Sequence, residues 1–188
     1  AGVAMTVPPA ATISQYASFF RETKRIGIIR GPNITNQRMQ ALENAAARSK
    51  IELVTERARS PKKVVPIVHR LARQKVDAIW LQADRAIISP KVFRRLVDET
   101  RSRRIGLIVE SEAMVQAGAL FAVVPSHEGV GKQAAKVVKR VLDGENPAGI
   151  GVESPTDANV VLNLNTLRNA SLNFDKLLQD FVDIKVGD

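Results

Sequence analysis

The chain has no cysteine, two histidines and an aromatic content of only 4%. Without cysteine there are no disulfides, no thiolate zinc sites and no cysteine nucleophile, and the redox compartment stays open. Two histidines alone make no good metal constellation. No apolar run approaches the roughly 20 residues of a membrane-spanning helix. Ala1–Ala11 carries two prolines and no basic stretch ahead of an apolar one, so it does not read as a signal peptide. The chain starts without Met, which fits either a removed leader or a cut from something longer.

Motifs of common enzymes are missing as well. There is no Gly-rich phosphate loop ending in Lys-Ser/Thr and no G-x-G-x-x-G after the first apolar strand. No G-x-S-x-G nucleophile elbow occurs. No catalytic residue, metal or cofactor is therefore expected.

What is present is ordinary for a folded domain: 188 residues, 45% hydrophobic and 25% charged. A chain of this length buries about 70% of its unfolded surface and needs no staple. The net charge is +9, and it is densest over Lys91–Arg104, where six Lys/Arg face two acids. Val92, Phe93, Leu96 and Val97 recur there at helical spacing, which puts the charges on the opposite, solvated face. No aromatics interleave them as a base-stacking platform requires, so no nucleic-acid partner is expected.

Strands and helices alternate. Arg25–Arg30, Ile51–Thr55, Val76–Leu81, Ile105–Val109 and Leu120–Val124 are apolar runs of strand length, and Asn159–Asn163 adds a sixth. Between them run helical patterns over Thr35–Lys50, from Ser60-Pro61, from Ser89-Pro90 to Arg103, and through Val130, Val137 and Leu142 to a stop at Gly144. Pro66 is costly deep inside a helix, so the second of these starts later than Ser60. Ile13, Ala17 and Phe20 suggest a helix before the first strand, and Phe174–Phe181 a short one at the end. The pattern predicts an α/β fold, a parallel sheet flanked by helices on both faces.

Ligands of open α/β sheets sit outside the carboxyl ends of the strands. That rule selects Asn33, Thr35 and Asn36 after the first strand, at a helix N-terminus that suits a carboxylate. It also selects Asp84 and Arg85 after the third, Ser111 and Glu112 (beside Glu110) after the fourth, and Ser126 (beside His127) after the fifth. Each has a plainer reading. Asn33 and Thr35 also serve as turn and cap residues, Asp84 as a loop acid paired with Arg85, Ser126 as an N-cap, and His69 as a surface residue.

Several segments follow one another as in a known family. These are Gly2–Pro8, Lys24–Ile29 with Pro32 and Asn36, Val76–Ile79 with Asp84, Gly118–Leu120, Gly131–Gln133, Leu142–Pro147 and Val160–Asn163. The chain resembles the solute-binding proteins of ABC transporters, of the kind that binds aromatic amino acids. The resemblance implies one lobe of a type I periplasmic-binding-protein-like fold, N-terminally truncated relative to the family. It divides the chain into an inter-lobe segment and helix (1–21), a ligand-binding lobe (22–117), a returning strand–helix segment (118–146) and a closing strand with a C-terminal helix (147–188). It implies a small polar ligand such as an amino acid, bound without chemistry, with an ABC permease as partner and the only link to the membrane. A periplasmic or otherwise extracytoplasmic location goes with it. A ligand-sensing regulatory domain of the same fold and a small α/β enzyme are the alternatives.

Where the family often has Asn-Ser, Asp-Asn and two further acids around its ligand, this chain has Asn36-Gln37, Asp84-Arg85, Ser111 and Ser126. Arg85 could fill the pocket or favour an anionic solute. In the resemblance the returning segment packs on another lobe, so Leu120–Val124 and the helix after it would be bare here. A homodimer through that face is the expected cover.

Overall fold

The structure is a computed structural model and describes residues 1–187. A seven-stranded sheet forms its centre. β2 (Arg25–Arg30), β3 (Glu52–Arg57), β4 (Ala78–Leu81), β5 (Gly106–Val109), β6 (Phe121–Pro125), β8 (Ala158–Asn163) and β9 (Ile184–Val186) pair in the order β3-β2-β4-β5-β6-β8-β9. The first five run parallel, and β8 returns antiparallel to β6, with Phe121 opposite Leu162. β9 lies parallel to β8 at the edge.

Period-two alternation along buried strands builds a core on each face. Ile26, Ile28, Ala78 and Trp80 point to one side, where α1 (Pro9–Phe19) and α2 (Asn36–Arg48) bring Ile13, Tyr16, Phe19, Met39 and Leu42. Ile29, Ile79, Leu81 and Leu107 point to the other, under α3 (Val64–Arg73) and α4 (Pro90–Ser102), which supply Ile67, Leu71, Phe93 and Leu96. At the first core Tyr16 stacks on Phe20, their ring centroids 4.6 Å apart, and Phe121 meets both rings edge-on. Burial pushes the Tyr16 phenol well above its usual range, and the charge of Asp77 adds to that.

Local differences from the expected pattern have simple causes. Pro61–Lys63 forms a 3-10 turn and α3 starts at Val64, so Pro66 falls in the first turn, where its missing N–H costs no bond. Ser60 makes no side-chain cap. Lys176–Phe181 is a 3-10 helix, and short helices α5 (Glu112–Gln116), α7 (Pro147–Ile150) and α8 (Leu164–Ala170) fill connections that carry no periodic signal.

The expectation that Leu120–Val124 lacks a cover within this chain is not met. β6 sits between β5 and β8, and Phe121 and Ala122 are fully buried there. Its continuous apolar run reports a place inside the sheet. The helix after it, α6 (His127–Leu142), behaves differently. It packs against β1 (Gly2–Val3), which pairs in parallel with β7 (Val152–Glu153) in a separate two-stranded sheet. Gln133 and Val137 are buried, whereas Val138 and Leu142 are 57% and 80% exposed.

Candidate functional site: the cleft at the carboxyl ends of the strands

The loops after β2 and β4 are tied to each other. Asp84 is buried, and its carboxylate accepts from the Asn33 backbone amide at 2.8 Å, Asn33 Nδ2 at 2.9 Å and the Ala86 amide at 2.9 Å. Burial works against the charge, but the amides of Ala86 and Asn33 and the Asn33 side chain outweigh it, so the carboxyl stays below its ordinary value. Thr35 caps α2, its hydroxyl accepting from the Arg38 amide. Asn36 accepts from Arg30 Nη2 at 2.8 Å. Asn33, Thr35, Asn36 and Asp84 therefore each hold a neighbouring loop or helix end at the mouth. Arg85 lies exposed beside them and does not pair with Asp84.

The other predicted residues come together elsewhere. Ser111, Glu112 and Ser126 line a cavity of about 520 Å³ with Glu110, His127 and Glu128. Ser111 caps α5 and Ser126 caps α6, each hydroxyl accepting one backbone amide and keeping its own proton to donate. Glu112 accepts from Gln116 at 2.9 Å. The eight candidates thus fall into a brace on the β2–β4 side and a wall on the β5–β6 side.

Between the two lies a smaller cavity of about 120 Å³, lined by Met5, Val7, Arg38, Trp80, Glu110 and Val123, among others. It shares Met5, Glu110 and Pro125 with the larger cavity, so the two form one cleft across the ends of β4, β5 and β6. Arg38 reaches from the first turn of α2 to Glu110, forming an ion pair, and donates through Nε to Gln82 Oε1 at 2.8 Å. Arg38 and Gln82 were absent from the expected site. A signal existed: a cation in the first turn of a helix opposes the helix dipole, which implies a partner carboxylate.

Two donors in this region are buried and unpartnered among the described residues, Trp80 Nε1 and Gln82 Nε2. Buried donors usually find an acceptor. The cleft therefore carries carboxylates and hydroxyls at one end, and Arg38 with the ring of Trp80 at the other. That arrangement suits a small solute carrying both an ammonium and a carboxylate. Among the described residues no group of His, Asp and Glu is placed to hold a metal ion.

A mostly parallel sheet with helices on both faces, and a polar cleft at its carboxyl ends, is the layout in which open α/β sheets hold their ligands. The family described as ABC transporter substrate binding protein matches residues 1–180, and the chain belongs to it. A protein of Clostridioides difficile (strain R20291) named tyrosine-binding protein is 25% identical over 162 residues, which is 85% of this chain and 45% of that protein. Among solved structures, a ligand-free, open substrate-binding protein with adhesive properties from Clostridium difficile superposes with a TM-score of 0.79 at 17% identity. That match covers 99% of this chain and 62% of the other. An ABC domain in complex with L-Trp from Streptococcus pneumonia gives 0.75 at 21% identity, over 98% of this chain and 62% of that one. These likenesses establish a periplasmic-binding-protein-like fold. The chain spans less than half the length of the curated relative. Among the described residues no helix is long and apolar enough to cross a membrane.

Proposed function

We propose that this chain binds a small amino acid-like solute in the cleft between Arg38 and Ser126, as the solute-binding part of an ABC uptake system. The observation that carries the reading is the cleft's two-ended chemistry. Glu110, Glu112 and Ser111 offer acceptors for an ammonium, and Arg38 with the unpartnered Nε1 of Trp80 lines the smaller end, where a carboxylate fits. The family supports it, as do the relative named for tyrosine and the neighbour holding L-Trp. Binding proceeds without covalent chemistry, and the permease partner and extracytoplasmic location follow from the same reading. Residues 9–125 and 158–187 then act as the ligand lobe, and residues 1–8 and 126–157 as the part that leaves it and returns. The place of β6 in the main sheet supports that division.

The cleft is open to solvent, so affinity is modest compared with an enclosed pocket. Calorimetry with a panel of L-amino acids, hexoses and dicarboxylates tests the reading. An amino acid should bind, and Glu110→Gln should weaken it about tenfold, the loss of one charge-assisted bond. Binding of hexoses alone, or amino acid binding that ignores the Glu110 change, would overturn it.

A further inference from the structure

We propose that an open cavity at the opposite end of the sheet, at the amino ends of β4 and β5, is a second binding site for a phosphate-bearing anion. The cavity measures about 660 Å³ and lies between the C-terminal ends of α3 and α4. Its wall carries Arg73, Lys75, Arg103 and Arg104 against one carboxylate, Asp77. That carboxylate is already engaged, since Asp77 Oδ2 accepts the backbone amides of Lys24 and Arg25 at 2.7 and 2.8 Å. Arg103 pairs with Glu99, but Arg73, Lys75 and Arg104 have no ion-pair partner among the described residues.

Helix dipoles explain part of this charge and not all of it. A helix C-terminus favours a cation in its last turn. α3 already carries Arg70 and Arg73 there, and α4 carries Arg101. Lys75 and Arg104 come after both helices end. Each stands in the left-handed region, at φ 56° and 57°, where glycine or asparagine is the ordinary residue. Because β4 and β5 are adjacent parallel strands, the topology puts these two loops side by side, and two strained cations face one cavity. Lys50 after α2 has the same backbone and lies outside this cavity, so it is the convergence of Lys75 and Arg104 with Arg73 and Arg103 on one cavity that points to a use for the charge. Guanidinium groups bind phosphate through paired N–H donors, and a lysine adds a mobile point charge. The volume exceeds a single phosphate and fits a phosphorylated small molecule or a phospholipid headgroup.

The site is distant from the solute cleft, so its test is independent of that reading. The variant is Lys75→Gly with Arg104→Gly, which removes both charges and supplies the residue these backbone angles favour, so the fold is retained. Tripolyphosphate is titrated by calorimetry, and co-sedimentation is measured with phosphatidylcholine vesicles with and without phosphatidylglycerol. Tripolyphosphate should bind, weaken at least tenfold in the double-glycine variant, and be unaffected by the charge-matched control Lys91→Ala with Lys136→Ala. Vesicle binding that needs phosphatidylglycerol and is competed by tripolyphosphate identifies a headgroup as the source. Tripolyphosphate binding without vesicle binding identifies a soluble phosphorylated ligand. No binding of either probe, binding unchanged in the double-glycine variant, or equal loss in the control overturns the proposal.

Discussion

A Cβ atom at Gly31 would run into the carboxylate of Asp84, so the chain after β2 passes directly over the acid that follows β4. The contact makes Asp84 a structural residue, because its carboxylate holds two loops 51 residues apart. Asp84→Ala should cost about 3 kcal/mol, since two backbone amides and an amide side chain lose their acceptor in a buried place. The thermal midpoint should fall by roughly 5–10 °C for a domain of this size. Its sequence position had suggested a ligand-facing strand-end acid or a loop acid paired with Arg85, neither of them needed for folding. A drop under 2 °C, on the order of 0.5–1 kcal/mol, would return Asp84 to one of those roles.

The same residue sets a pH dependence. Its folded-state pKa lies below the unfolded value of 3.8, so its contribution is complete above about pH 5. It is lost as the pH falls below 3.8 and through the folded-state value. The stability gap between the parent and Asp84→Asn should therefore narrow in acid and stay constant from pH 5 to 7. Urea melts at several pH values measure it, and a gap that widens on acidification would contradict the sign.

Trp80 is the single tryptophan of the chain and lines the smaller part of the cleft. Intrinsic fluorescence is thus a one-site reporter of solute entry. A solute that accepts from Trp80 Nε1 should shift the emission, and Trp80→Phe should abolish the signal. The same substitution removes an unpartnered buried N–H, which offsets part of the lost ring volume. Its cost should then stay under about 2 kcal/mol, below a typical large-to-small core change. A solute that binds by calorimetry without any change in emission would place it elsewhere in the cleft.

Gly106 opens β5 under the hydroxyl of Tyr16, which occupies the space a Cβ would need. Gly106→Ala should cost about 1–3 kcal/mol by overpacking. Tyr16→Phe frees part of that space, so the double variant should be more stable than the sum of the single changes implies. Denaturant melts of all four proteins give the coupling, and strict additivity would show that the two residues do not compete.

How much of this was legible in the sequence depends on where the signal is local. Ile26–Ile29 of β2 and the whole of β4 are unbroken apolar runs, and both were visible as strands. β1 and β7 have two residues each, too few for any period, and β9 follows an acid and contains a lysine. Leu177 and Phe181 have the spacing of a buried helix face, yet both are exposed in a 3-10 turn. For the proposed site, the strand-end rule led to the end of the sheet where the cleft lies. It could not tell which polar side chains turn inward to brace neighbouring loops, because Asn33 meets Asp84 only through the pairing of β2 with β4. Arg38 was hidden inside an amphipathic helix pattern whose polar face reads as solvated.

The face of α6 yields the last prediction. Val138 and Leu142 project from α6, and Val152 of β7 is 73% exposed on the small sheet that α6 covers. A parallel strand pair usually has both faces covered, and two strands alone are marginal in water. The open edges of β1 and β7 offer unpaired backbone groups, and Val152 within β7 is apolar and exposed. A second copy of the chain can meet both needs with one symmetric contact, since a two-fold interface uses the same patch twice. The chain on its own should therefore run as a dimer in light scattering at micromolar concentration. Val138→Glu with Leu142→Glu should give a monomer with its thermal midpoint almost unchanged, because exposed positions of this kind usually contribute within about 0.5 kcal/mol. A parent chain that is monomeric at all concentrations would show that this face needs no second copy, and that α6 alone is cover enough for β1 and β7.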